Sequence, residues 1–252
     1  MSKFEERYCA FIDILGFSES VRNLERSWDS TAYERLKSCL SFMHDEQHES
    51  AYHADLRIYS EVDGSIVENE LGEPRITYIS DCLVISTERT PDGFKALCQK
   101  VTKIWIDLLW DGYLCRGGIS GGPLIHEPSC VMGSAYMDAY ALEKPAKVPR
   151  VIIDKSLSEI YSSFPSQFPF HSPTMEKGDD DCLYLRYLPF QLFPPYVPSW
   201  SDYLIRARQH IHAGLAHPEG SVRSKYAFAK TEFNFSVNFY RKFLDPAVEE
   251  LA

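Results

Sequence analysis

Two aspartates are placed where a carboxylate has chemical work to do. Asp13 lies in Phe11-Ile12-Asp13-Ile14-Leu15-Gly16-Phe17-Ser18 and Asp81 in the run from Ile76 to Ser86, each within an apolar, strand-like stretch. A charge is costly to bury unless it is paired or ligates a metal, so two carboxylates at the ends of apolar strands suggest a shared cation. A divalent cation held by carboxylates organises phosphate chemistry. The turn after Asp13, Ile14 to Ser18, adds backbone N–H groups and the Ser18 hydroxyl, a set suited to phosphates at a helix N-terminus. Taken singly, each aspartate fits a turn or capping position equally well.

The elements that must position these residues follow from hydrophobic spacing. Tyr8 to Leu15 reads as a strand, Gly16 as a turn, and Ser18 as the N-cap of a helix. From Ser30, the positions Tyr33, Leu36, Leu40 and Met43 form one face of an amphipathic helix running to about Glu49. Leu56 to Val67 is strand-prone but ambiguous. Arg75–Ile79 and Cys82–Thr87 are two β-rich runs with only Ser80 and Asp81 between them, a hairpin with Asp81 at its tip. After Pro91, the spacing of Phe94, Leu97, Val101, Ile104 and Leu108 predicts a helix ending near Gly112. A strand from Leu114 to Ser120, a Gly-Gly-Pro turn at 121–123, a short strand at 130–133, a helix over 134–144 and a strand at 151–153 complete the segment.

This order, β-α-(α)-β-β-α-β, predicts an α+β protein with a ferredoxin-like, palm-type sheet, helices on one face, and the first strand beside the hairpin. The two aspartates would then be neighbours. Residues 1–160 form the predicted catalytic domain and 161–252 a C-terminal extension. The extension opens with a Pro- and aromatic-rich segment containing a strand near Leu183–Leu188. A helix beginning at Ser199 and Asp202 and running to about Ala213 follows, then a long amphipathic helix from Val222 to Leu244. It is expected to pack on the catalytic domain or a dimer.

Further along lie Arg116-Gly117-Gly118-Ile119 with Gly122-Pro123, and the segment from Gly133 to Glu143. Together with the Phe11–Ser18 stretch and Ser80-Asp81, these four segments resemble the class III nucleotidyl cyclases. The resemblance covers about residues 1 to 155, and its specificity comes from the order and spacing of all four. It implies a two-metal cyclisation with Mn²⁺ or Mg²⁺, in which the ribose 3′ hydroxyl attacks the α-phosphate and pyrophosphate departs. Asp13 and Asp81 match the metal ligands, with the Ile14 carbonyl as a third. Ile14, Leu15, Gly16, Phe17 and Ser18 match the phosphate-cradling turn, and Arg116 a triphosphate-binding arginine. Arg150 matches a phosphate-binding lysine contributed by the partner domain, and an arginine fork suits phosphate at least as well. Active sites of that family form between two catalytic domains, which implies a homodimer.

Departures from the family pattern bear on the substrate. Purine cyclases place an asparagine and an arginine where this chain has Met137 and Ala141, and neither can replace them. The base-selecting pair corresponds to Thr77 and Cys130, so an adenine-reading Lys–Asp pair is absent. The form Gly-x-Ala-Tyr-x-x-Ala-Tyr-x-Leu-Glu, with Tyr136 and Tyr140, is similar instead to the bacterial pyrimidine cyclases of the Pycsar antiphage systems. Those enzymes make cyclic UMP or cyclic CMP, which a separate effector protein reads. Tyr136 or Tyr59 could shrink the base pocket, although core or interface packing also accounts for Tyr136 and Tyr140. The expected substrate is UTP more than CTP. A non-catalytic nucleotide-sensing homologue and a purine cyclase are the alternatives.

Composition limits the partners. The chain of 252 residues has 26 basic and 36 acidic side chains, a formal charge of −10, which argues against a long nucleic-acid surface. No apolar run approaches the ~20 residues that span a bilayer, and the N-terminus lacks a signal-peptide core, so a cytoplasmic protein is expected. The seven cysteines are odd in number and scattered, reading as reduced core thiols. His44 and His48 read as a solvated helix face, and the acidic run Glu176–Asp181, with few cations near it in sequence, as an exposed loop.

Overall fold

The computed structural model describes residues 4–48, 58–62, 65–69, 75–144, 146–162, 175–186 and 199–252. Strand β1 (Glu5–Ile14) is apolar over most of its length because both of its faces are covered. Tyr8, Ala10, Ile12 and Ile14 enter one core, Cys9 and Phe11 the other. Gly16, at φ 82°, takes the left-handed conformation that costs glycine least and turns the chain directly into α1 (Phe17–Arg26). Gly16 is therefore the N-cap. Ser18, expected in that role, lies within the first turn, and no side chain caps the helix.

Helix α2 (Ser30–His48) is helical as far as the described residues go, and the expected end at Glu49 lies outside them. The ambiguous stretch holds β2 (Ile58–Val62) and β3 (Ser65–Asn69), a separate antiparallel pair. Strands β4 (Arg75–Ile79) and β5 (Cys82–Glu88) form the expected hairpin, Ser80 at φ 58° and Asp81 making the tip. Helix α3 (Pro91–Trp110) starts at Thr90, whose side chain accepts from the Gly93 N–H, and Pro91 fits the first turn, where its missing donor costs nothing.

Strand β6 (Cys115–Glu127) departs from expectation: no turn interrupts it at 121–123. It pairs with β1 as far as Leu124 opposite Glu5. Pro123 falls after the last β8 pairing, at Ile119, and before the first β7 pairing, at Ile125, where the ladder asks least of a residue without an N–H. Then come β7 (Cys130–Met132), α4 (Ser134–Glu143), β8 (Val151–Ile153), α5 (Ser158–Ser162), β9 (Met175–Lys177) and β10 (Leu183–Leu185). The Leu183 strand is shorter than expected, with 187 and 188 outside the described residues. Helices α6 (Trp200–Leu215) and α7 (Gly220–Tyr240) close the chain. Ser199 caps α6 as expected, accepting from the Asp202 N–H.

The main sheet has the order β4-β5-β1-β6-β8-β10-β9, with β7 added on β6. Strand β5 is antiparallel to both β1 and β4, so β1 and β4 run parallel with β5 between them. Strand β6 is antiparallel to β1, and β8 is parallel to β6. This is an α+β architecture with a mixed, mostly antiparallel sheet. One face carries the larger core, where Phe94, Leu97 and Trp105 of α3 meet Tyr203 and Leu204 of α6 and Phe233 of α7. Each fully buried side chain of this kind stabilises the fold by about 1.5–3 kcal/mol.

Helices do not keep to one face. Helix α4 crosses the other side, over Cys9, Phe11 and Val84, with Ala135 and Ala139 against the sheet. It lies so close that a Cβ at Gly118 would collide with the Ala139 carbonyl and the Leu142 side chain. Among the described residues, no helix is long and apolar enough to cross a membrane.

Candidate active site

The ladder register assembles the site. Asp13 pairs with Cys82 of β5 on one side and Arg116 of β6 on the other. Directly opposed side chains leave the same face of a sheet, and parity with Phe11 puts all three on the α4 face. The Ile14 N–H donates to the Asp81 carbonyl at 3.1 Å, fastening the hairpin tip to the end of β1. As a result, one ligand atom each from Asp13, Asp81 and Cys82 lies within 4.8 Å of the others. The two aspartates are neighbours, as the predicted strand order requires.

Electrostatics favours a cation here. Burial holds the Asp13 carboxyl above its ordinary value. The Arg116 guanidinium offsets this in part, while the Asp81 and Glu143 charges push it further up. Arg116 Nε lies 3.3 Å from Asp13 Oδ2, and a terminal nitrogen pairs with the buried Glu143. Burial and the charges of Asp13 and Asp81 raise the Cys82 thiol. It stays protonated and directs its S–H to Asp13 Oδ1 at 3.6 Å, with Asp81 Oδ1 at 3.8 Å. Two carboxylates are a donor set for a hard ion such as Mg²⁺ or Mn²⁺. The residues fit that group.

The turn expected to cradle phosphate is accessible. Gly16 and Ser18 are exposed, whereas Leu15 and Phe17 are partly buried and pack on the larger core, anchoring the turn. The Leu15 N–H is bonded to the Leu114 carbonyl at 2.8 Å, so the N–H groups left for a ligand belong to the start of α1.

Around the expected base pocket, Thr77 is opposite Val84 and therefore on the α4 face. Its hydroxyl is 2.9 Å from His126 Nε2, so the polar partner of Thr77 is His126 and not Cys130, which opens β7 opposite Glu127. Tyr136 and Tyr140 are stacked with centroids 6.4 Å apart and meet Phe11 edge-on at 6.2 and 5.1 Å. Met137 is 60% exposed and Ala141 is exposed, on the outer side of α4. Tyr59 lies in β2, and its side chain is outside the described residues.

Arg150 is not brought to the carboxylates. The Gly117–Val151 pairing sets it beside Arg116 on the neighbouring strand, yet its guanidinium is taken by Asp180. Nη1 lies 3.0 Å from Oδ1 and Nη2 bonds Oδ2. The fork holds the Asp180 carboxyl down at about 2. The ring of Tyr184 lies 5.7 Å from the guanidinium, and Nε is buried with no hydrogen-bond partner among the described residues. The acidic run is exposed from Asp179 to Asp181, as expected, and carboxylates within it are paired. Glu176 pairs with Arg186, ten residues on, and Asp181 with Lys177 inside the run.

One group of functional-looking residues escapes the sequence. Arg7 Nε donates to Ser86 Oγ at 3.0 Å, and Ser86 Oγ is 2.8 Å from His126 Nδ1. Arg75 donates to the His126 carbonyl at 3.0 Å, and both arginines pair with Glu5. Burial first, then Arg7 and Arg75, push His126 down to about 4, so its ring is neutral. The available signal is Arg7 and Ser86 interrupting otherwise apolar strands on the face shared with Phe11. No protein-family model matches the chain, and no curated protein matches it.

Proposed function

We propose that this protein is a pyrimidine nucleotidyl cyclase converting UTP, in preference to CTP, to its 3′,5′-cyclic monophosphate and pyrophosphate. The observation that carries the reading is the approach of Asp81, at the hairpin tip, to Asp13, which is paired with Arg116. The strand order β6-β1-β5-β4, with β1 and β4 parallel, supports the palm-type sheet that such chemistry uses.

Asp13, Asp81 and the Ile14 carbonyl would hold two Mn²⁺ or Mg²⁺ ions, which when bound supply charge neutralisation at the phosphates and a lowered pKa at the attacking hydroxyl. Arg116 binds the triphosphate with the charged hydrogen bonds its fork can make. The Gly16–Ser18 turn receives phosphate oxygens at the start of α1. In the reaction O3′ bonds to the α-phosphorus and the bond from that phosphorus to the pyrophosphate oxygen breaks. Positioning and charge stabilisation are what this protein contributes to such a transfer.

The enzyme is a homodimer in this reading, with Arg150 serving the site of the other copy. The apolar residues exposed on the α4 side, Met132, Met137 and Tyr140, suit a face covered by a second copy. It works in the cytoplasm as the signal-producing enzyme of an antiphage system, its product read by a separate effector protein. Met137 and Ala141, exposed where a purine enzyme needs polar groups, favour a pyrimidine. The same two residues favour the second reading, a non-catalytic nucleotide sensor; a purine cyclase is the third. Replacing Asp13 or Asp81 by Asn tests the first reading: turnover is lost while the dimer stays folded, and near-normal activity in either variant would refute the metal assignment.

A further inference from the structure

Arg150 is a cation already in use. Its Nη1 lies 3.0 Å from Asp180 Oδ1 and its Nη2 bonds Oδ2, the same fork by which a guanidinium takes two phosphate oxygens. The residue is only 6% exposed. The Tyr184 ring stands 5.7 Å from its guanidinium, and the Tyr184 hydroxyl donates to Glu232 of α7 at 3.1 Å. Glu232 is itself buried and paired with Arg186. Strand β10 and helix α7 therefore form a fixed wall beside Arg150. With so little of the side chain open, a phosphate reaches the fork where the Asp180 carboxylate now sits.

The other half of the pair is free to leave. Asp180 lies in the turn between β9 and β10 with 49% of its side chain exposed, and Asp179 and Asp181 beside it are exposed too. The carboxylate can swing into water without disturbing the core. The turn is closed by its own backbone, the Gly178 N–H donating to the Cys182 carbonyl at 2.9 Å and the Asp181 N–H to the Gly178 carbonyl at 3.0 Å. Gly178 sets how closely the pair can meet. A Cβ on it would stand 2.8 Å from Arg150 Nη1 and 2.9 Å from Asp180 Oδ1. Carboxylate and phosphate are alternative occupants of one fork, and a buried arginine does not hold both.

We infer that Asp180 is an autoinhibitory competitor: the β9–β10 turn fills the Arg150 fork in the resting protein, and a triphosphate gains Arg150 by displacing the carboxylate. This gives the C-terminal extension a part in the site, since β9, β10 and α7 all belong to it. The inference rests on the reading of Arg150 as a phosphate ligand of the cyclase, serving the site of the other copy.

The test compares UTP affinity, measured at equilibrium with Ca²⁺, and initial rates of cyclic product with Mn²⁺, in the whole chain. Asp180→Asn keeps the shape of the side chain and removes its charge. It should tighten UTP binding and raise kcat/KM by about tenfold, the order expected when a charged pair no longer has to be broken. Gly178→Ala keeps the charge and wedges a methyl group against the fork, so both quantities should shift in the same direction. The Gly178 backbone lies outside the left-handed region, and should Asp180→Asn fail to fold, Gly178→Ala carries the test. Adding Arg150→Ala to either variant should erase the gain. A gain that survives without Arg150, or UTP binding that is unchanged or weaker in Asp180→Asn, overturns the inference, and product formation then leaves the cyclase reading standing. An Arg150-dependent gain in affinity without any cyclic product upholds the inference and overturns the cyclase. Binding of no triphosphate by the wild type or any variant overturns both.

Discussion

Arg116 and Asp13 face each other across the β1–β6 ladder with Nε 3.3 Å from Oδ2, and the same guanidinium pairs with Glu143 at the end of α4. One side chain therefore joins a metal-ligand candidate to the helix that covers the site. Binding of a cation and a triphosphate would redistribute these contacts, the cation taking Asp13 and the phosphates taking Arg116.

Arg116→Lys should separate the two roles. A lysine retains the charge but cannot grip phosphate with a planar fork. The variant is expected to stay folded and to raise KM for the triphosphate about tenfold or more. Steady-state kinetics checks this, and an unchanged KM would remove Arg116 from the phosphate site.

Mn²⁺ should stabilise the protein through Asp13 and Asp81. A ligand at a hundred times its Kd adds about 2.7 kcal/mol, which for a chain of this length raises Tm by roughly 5–10 °C. Thermal unfolding of Asp13→Asn and Asp81→Asn should show little of that rise. Equal stabilisation in the variants would mean that the ion binds elsewhere.

Arg150 offers a test of composite sites. If it serves the partner's site, mixing inactive Asp13→Asn with inactive Arg150→Ala restores activity, because one site of each mixed dimer is intact. Half the dimers are mixed and half their sites work, so recovery should approach about a quarter of the wild-type rate after subunits exchange. A role confined to the Asp180 pair within the same chain gives no recovery.

His126 predicts an acid-sensitive fold. Its folded value near 4 lies below the ordinary 6.5, so the native state binds fewer protons than the unfolded chain. The associated stability is present above pH 6.5 and is lost as pH falls from there toward 4. Between pH 7 and pH 5 the loss is about 2 kcal/mol. Urea unfolding at the two values, in wild type and His126→Phe, reads this contribution as the difference in slope.

The Asp13–Asp81 approach was legible because Asp13 lies near the end of a continuous apolar run that reads as a buried strand, and the two-residue tip Ser80-Asp81 between two β-rich runs reads as a hairpin. The Ser199 cap was legible for a similarly local reason. What escaped depends on distant neighbours. Gly121-Gly122-Pro123 carries turn chemistry, but the length of β1 supplies a partner that keeps β6 extended. Helix α4 reaches the second face because Gly118 leaves room, which no periodicity records. Asp180 claims Arg150 from 30 residues away, and Arg7, Ser86, Thr77 and His126 find one another across separations of 40 to 79. Such contacts belong to the sheet order rather than to any segment.

The central claim is decided by product identification. The purified protein is incubated with ATP, GTP, CTP and UTP separately in the presence of Mn²⁺, and products are identified by mass spectrometry. The account predicts 3′,5′-cyclic UMP and pyrophosphate from UTP, less cyclic CMP from CTP, and neither from Asp13→Asn. Cyclic AMP or cyclic GMP as the main product, or no cyclic nucleotide from any of the four, would contradict it.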